Sequence, residues 1–224
     1  MSSTYKQLFR GRVVVANPFH SALLAWPSPS PQRQTPAVGD NDVRAMLAIA
    51  LDDSDTWRGH RDHAIIALLW HTGLRRSSVA SVSIENIRRE GDQTLLRARI
   101  KGGALRDVML VEEAENAVSA WLKVAGITSG ALFPASAGTS EPISGDAVYR
   151  VLQLRARQAG AVGHVTPHQL RAALATAGYD AGLPEYEVQA ALHHARPETT
   201  RRYDRGQRGV RALQAVAAIR AQAK

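Results

Sequence analysis

From Thr35 onward the apolar positions recur mainly at helical spacing. Val43, Met46, Leu47 and Ala50 line one face of a helix that Asp40 or Asn41 is placed to cap. Ile65, Ile66, Leu68 and Leu69 predict a second helix over roughly 60–71, ended by Gly73 in the left-handed conformation. Between 94 and 111 the period changes from helical to alternating. Leu96, Ala98 and Ile100 alternate with Arg97 and Arg99, and Gly102-Gly103 offers a tight turn before Val108–Val111. This predicts a β-hairpin with Lys101 beside its turn. Further helices are predicted near 112–125, 144–159, 166–178, 184–194, 197–203 and 207–222, and the short run 131–133 is a candidate third strand. The fold class expected is mainly α with a small antiparallel β-sheet, an α+β arrangement.

Residues 1–34 follow a different pattern. Pro27, Pro29 and Pro31 among serines favour extended, solvated chain, so this stretch reads as an arm or linker ahead of a domain spanning 35–224. The run Val13–Ala16 behind Lys6 and Arg10 ends at Asn17-Pro18, too early for a signal peptide. No apolar run approaches the ~20 residues of a membrane helix.

Composition narrows the function classes. With 45% hydrophobic and 21% charged residues, the chain is apolar enough for a packed core and too mixed for a long coiled coil. It has no cysteine, which excludes disulfide scaffolds, thiolate metal sites and cysteine nucleophiles, and fits a reducing, cytoplasmic setting. Lys+Arg 28 against Asp+Glu 20 gives a formal charge of +8, which favours a polyanionic partner. Only four of the cations are lysines. Arginine's planar fork suits bidentate phosphate contacts, and a GC-rich genome produces the same bias.

Several residues are candidates for chemistry. Thr166–Arg171 reads TPHQLR, with His168 and Arg171 three apart on one helical face. His194 closes a later helix, and Tyr203 follows in a short helix opened by Pro197. Taken singly, each has a plain alternative. His168 and Arg171 suit a solvated polar stripe, His194 a helix-terminal histidine, and Tyr203 a surface aromatic.

Together with Thr72-Gly73-Leu74-Arg75 and Lys101, these residues resemble the tyrosine recombinase/phage integrase family. Its marks are an arginine in T-G-L-R, a lysine on a β-hairpin, H-x-L-R, a second histidine, and a tyrosine nine residues later. Arg75, Lys101, His168-Gln169-Leu170-Arg171, His194 and Tyr203 stand in that order across about 36–205. The resemblance implies that family's catalytic-domain fold and a site-specific recombinase or integrase that cleaves and rejoins double-stranded DNA through a 3′-phosphotyrosine. Arg75 and Arg171 would clamp the phosphate, as two guanidiniums suit a phosphorane's added charge. Tyr203 would be the nucleophile, His168 would take its proton, Lys101 would act as general acid, and His194 would seat the phosphate. Arg76, Arg201 and Arg202 are expected to touch DNA. The last segment, 207–224, would either pack on its own core or dock onto a neighbour in a tetramer on DNA.

No cofactor is expected. The bond energy is kept in the covalent link, there is no G-x-x-x-x-G-K-[ST] loop, and neither His60/His63 nor His193/His194 has a supporting carboxylate motif for a metal. The sequence departs from the family at Ser78, where an acidic residue is common, at Ala172 in place of a histidine, and at His193 in place of a glycine. An N-terminal core-binding domain is also expected of such proteins, and Tyr5–Arg12 reads as the stub of its last helix. Two other readings compete: a type IB topoisomerase-like relaxing enzyme, and a non-catalytic helix-turn-helix-like regulator built on 170–192.

Overall fold

The computed structural model describes residues 37–53, 56–100, 102–161 and 163–192. Its organising element is a helix with almost no solvated side. Helix α1 spans Asp40–Asp52 and helix α2 spans Trp57–Thr72. In α2, Ile65, Ile66, Leu68 and Leu69 are all fully buried, and α1 and four later helices close around it. A helix apolar on most sides belongs at the centre of a core.

Local chemistry sets its ends. Thr56 caps α2, its side chain accepting from the Gly59 N–H at 2.9 Å. Gly59 has to be glycine, because a Cβ there would lie 2.0 Å from the Asp53 carbonyl oxygen. At the other end Gly73 has φ 61°, the expected left-handed terminator. The cap of α1 differs from expectation. Gly39 is its N-cap, and Asp40 and Asp42 fall inside the first turn, where they meet the helix dipole rather than a backbone N–H.

After the short helix α3 (Arg76–Ala80) comes the sheet, formed by β1 (Ile87–Glu90), β2 (Gln93–Arg99) and β3 (Leu105–Leu110) in the antiparallel order β1-β2-β3. Thr94, Leu96, Ala98, Val108 and Leu110 face the core. The third strand is therefore Ile87–Glu90 and not 131–133. Ala131 makes only an isolated bridge with Ser83, and Leu132 and Phe133 are both fully buried instead of alternating. Three charges in four residues hid β1; Arg88 and Glu90 sit on the exposed sheet face, where Arg88 reaches Asp107 on β3 at 2.7 Å and 2.9 Å, while Arg89 points to the other side and reaches Glu115 at 3.5 Å.

Helices α4 (Glu112–Ala125), α5 (Gly145–Gln158), α6 (Pro167–Asp180) and α7 (Glu185–Ala191) complete the described chain. On α4, fully buried Trp121 donates its indole N–H to the Leu132 carbonyl at 2.7 Å and meets Trp57 edge-on. Helix α6 bridges two clusters. Leu170 and Ala173 join the main core, and Ala172, Ala175 and Tyr179 pack with Val188 and Leu192 of the α7 segment. Among the described residues no helix is long and apolar enough to cross a membrane.

Candidate active site

The T-G-L-R segment is the junction between α2 and α3. The Thr72 hydroxyl donates to the Leu68 carbonyl and accepts from the Leu74 N–H at 3.3 Å. Leu74 is buried, so the turn is pinned on both sides of Gly73. Arg75, part-buried, is the N-cap of α3 in extended conformation. Arg76 is exposed and pairs with Asp146, in the first turn of α5, at 2.9 Å.

The H-x-L-R segment opens α6 through a reciprocal cap. The Thr166 side chain accepts from the Gln169 N–H, and the Gln169 side chain accepts from the Thr166 N–H at 2.9 Å. Pro167 occupies the first turn, where its missing N–H costs nothing. His168 is exposed on that turn. Arg171, one turn further, is buried, and its guanidinium donates to the carbonyls of Gly73 and Leu192.

These two bonds bring separate parts of the motif together. Gly73 is two residues before Arg75, and Leu192 is two residues before His194. The packing is close: a Cβ on Gly73 would sit 3.0 Å from both Leu174 and Leu192. The hairpin joins from another side. The Ser78 hydroxyl, on α3, donates to the Arg99 carbonyl at the end of β2 at 2.5 Å. Beyond Arg99 the turn closes with Gly103 N–H to Ile100 C=O at 3.0 Å and Ile100 N–H to Ala104 C=O at 2.8 Å.

Of the expected site residues, Arg75, Arg76, His168 and Arg171 are described, and the segments carrying Arg75 and Arg171 are in contact. Lys101, His194, Tyr203, Arg201 and Arg202 lie outside the described residues, as do His193, the arm 1–34 and the two last predicted helices.

The model of the phage integrase family matches residues 38–208. The chain belongs to that family. It is 30% identical to tyrosine recombinase XerC of Pelobacter propionicus over 203 residues, 90% of this chain and 64% of that protein. It is 34% identical to tyrosine recombinase XerD of Neisseria meningitidis serogroup A over 161 residues, 69% of this chain and 54% of that protein. The chain thus spans 64% and 54% of these relatives' length, less than two thirds of each. In fold it resembles XerH site-specific recombinase, solved bound to a palindromic difH substrate after cleavage, with a TM-score of 0.67 at 21% identity over 84% of this chain and 54% of that one. The part spanned is the integrase catalytic domain.

Other charged groups in this integrase domain have structural work. On the exposed sheet face Asp107 lies between Arg88 and Arg97, whose hydrogen bonds hold its carboxyl far below the usual range. Near the amino end of α2, buried Arg155 of α5 donates to Asp62 at 3.0 Å, Asp53 at 2.7 Å and Gln158 at 3.1 Å. This network adjoins an open cavity of about 770 Å³, lined in part by Trp57, Arg58, Arg150 and Leu154. Among the described residues no three His, Asp or Glu side chains gather as metal ligands. What residue patterns did not reveal is the reach of Arg171 to the Gly73 and Leu192 carbonyls, since every residue possesses a backbone carbonyl.

Proposed function

We propose that this chain is the catalytic domain of a cytoplasmic site-specific recombinase that breaks and rejoins duplex DNA by transesterification. The observation that carries the reading is buried Arg171 joined to the carbonyls of Gly73 and Leu192. Those bonds gather the approaches to Arg75 and His194 around one guanidinium. The matched order of Lys101 and Tyr203, and the likeness to XerC, XerD and XerH, support the rest.

In this mechanism the Tyr203 oxygen attacks a backbone phosphorus and the bond from phosphorus to the 5′-oxygen breaks. A phenol with an ordinary pKa of about 10 needs a proton acceptor, which His168 supplies. Lys101 gives a proton to the departing 5′-oxygen. The guanidiniums of Arg75 and Arg171 stabilise charge on the non-bridging oxygens, and His194 hydrogen-bonds the phosphate. Rejoining reverses each transfer with a 5′-hydroxyl as nucleophile. Arg76, Arg201 and Arg202 contact the duplex, residues 1–34 form an arm, and the segment 207–224 docks protomers into a tetramer on DNA.

The non-catalytic helix-turn-helix reading fits less well. Helix α6 is largely committed to the two cores, and α7 opens with Glu185 and Glu187, charges that repel a phosphate backbone.

The test uses a pool of nicked duplexes with a randomised core. The wild-type chain is expected to form a denaturation-resistant protein–DNA adduct. Tyr203→Phe abolishes it and retains the gel shift. An undiminished adduct in Tyr203→Phe contradicts the nucleophile assignment, and relaxation of supercoiled plasmid at any sequence favours the topoisomerase-like activity.

A further inference from the structure

We infer that Ser78 is a positioning residue, holding the lysine-bearing hairpin in register with the arginine of the T-G-L-R turn through its hydrogen bond to the Arg99 carbonyl. The inference rests on the functional reading above for the roles of Arg75 and Lys101, and on geometry for the link between them.

A serine inside a helix ordinarily turns its hydroxyl back onto a carbonyl of the preceding turn. Ser81 follows that habit, donating to the Ser78 carbonyl at 3.1 Å. Ser78 does not. Its hydroxyl reaches 21 residues along the chain to Arg99 at 2.5 Å, and the residue is 3% exposed. The hydroxyl end of this bond is buried, and it would be left unsatisfied if the bond broke.

The two ends of this bond are well placed. Ser78 lies three residues after Arg75, inside the short helix whose first turn closes with the Val79 N–H donating to the Arg75 carbonyl at 3.0 Å. Arg99 is the last residue of β2, paired with Leu105, and Lys101 is two residues further on. Past that pair the described residues of the hairpin are held by the turn's own backbone bonds and stand clear of the rest of the fold: a Cβ on Gly102 would meet nothing within 4 Å, and one on Gly103 only the end of the Arg99 side chain. Ser78 therefore fixes the hairpin at its last paired residue to the helix that begins with Arg75. A carboxylate at this position would be ionised at neutral pH and have no proton for the Arg99 carbonyl.

The test separates positioning of the general acid from general damage. On a duplex captured by the wild-type chain, Ser78→Ala is expected to slow adduct formation on the order of 10–100-fold, the scale of a small misplacement of a reacting group. Ser78→Thr, which keeps the hydroxyl, retains most of the rate, and Ser78→Asp behaves like Ser78→Ala. The decisive arm replaces the 5′-bridging oxygen by sulfur. A thiol with a pKa of about 8.5 leaves without a donated proton, so Ser78→Ala and wild type should then cleave alike. An equal loss on both substrates, or no loss on the oxygen substrate, overturns the inference. A second arm needs no activity: hydrogen exchange at the Ile100 and Gly103 amides should quicken in Ser78→Ala and stay unchanged at Leu95 and Leu96. Unaltered protection at Ile100 and Gly103 overturns the link itself. Loss of the Tyr203 assignment would leave this exchange result standing, so the two failures are distinguishable.

Discussion

The two ends of α2 use buried arginine in opposite ways. Near its amino end Arg155 is 3% exposed and meets two carboxylates, Asp62 and Asp53, with Arg61 adding a bond to Asp62 at 2.9 Å and lying over the Trp57 ring. At its carboxyl end Arg171, 5% exposed, donates to two backbone carbonyls. Carboxylates satisfy the donors and cancel the charge. Among the described residues the neighbouring Arg75 forms no ion pair. The first end is an architectural lock. In the proposed mechanism the second brings Arg75 to the phosphate.

This contrast can be broken by exchanging readouts. The largest effect is expected at the lock. Arg155→Ala leaves buried Asp62 with Arg61 alone and should lower unfolding free energy by about 3 kcal/mol in a urea titration. The folded fraction should still cleave DNA. Arg75→Ala should do the reverse, lowering adduct formation by about 10²–10³ while stability stays within ~0.5 kcal/mol. Loss of stability without loss of cleavage in Arg75→Ala would erase the distinction between the two ends.

A smaller effect sharpens it. Gly73→Ala forces a side chain into the left-handed region, at a cost of about 1–2 kcal/mol, and pushes against Leu174 and Leu192. Because that contact also seats the Arg171 bonds, cleavage should fall more than stability alone explains, as measured at a temperature where the variant is fully folded.

The smallest effect is in pH. Burial lowers the pKa of His63, with His60 adding to it, and burial likewise lowers that of His71, with Arg44 adding and Glu113 opposing. The unfolded chain therefore binds more protons just below its ordinary histidine pKa of about 6.5, and stability is lost as pH falls through that range. Arg155 holds the Asp53 carboxyl below its ordinary value, so its contribution persists above about pH 4 and disappears only in stronger acid. Melting temperature should decline between pH 7 and 5, and His71→Gln should flatten that decline.

The sequence made the helices legible wherever burial was one-sided. The predicted 112–125 coincides with α4, because Ala114, Ala117, Val118 and Trp121 repeat at helical spacing on its buried face. Strand β1 escaped because three of its four residues are charged, although the Gly91-Asp92 pair between Glu90 and Gln93 is a hairpin signal that could have found it. The site divides similarly. T-G-L-R and H-x-L-R are readable because their capping threonine, glycine and proline have local roles. The choice of Arg155 for the lock and Arg171 for the site is not readable by composition, since both are arginines among many. What separates them is a partner about a hundred residues away: Arg155 to Asp62 at a separation of 93, Arg171 to Gly73 at 98.

In the proposed mechanism the carboxyl end of α2 presents charge for a phosphate. The most direct test of this compares wild type with Arg75→Ala on a duplex whose scissile phosphate carries a neutral methylphosphonate. With the anionic oxygen gone there is less charge to clamp, so the 10²–10³ gap expected on ordinary DNA should close to about tenfold or less. A gap of undiminished size on the neutral substrate would mean that Arg75 does not act on the phosphate's charge.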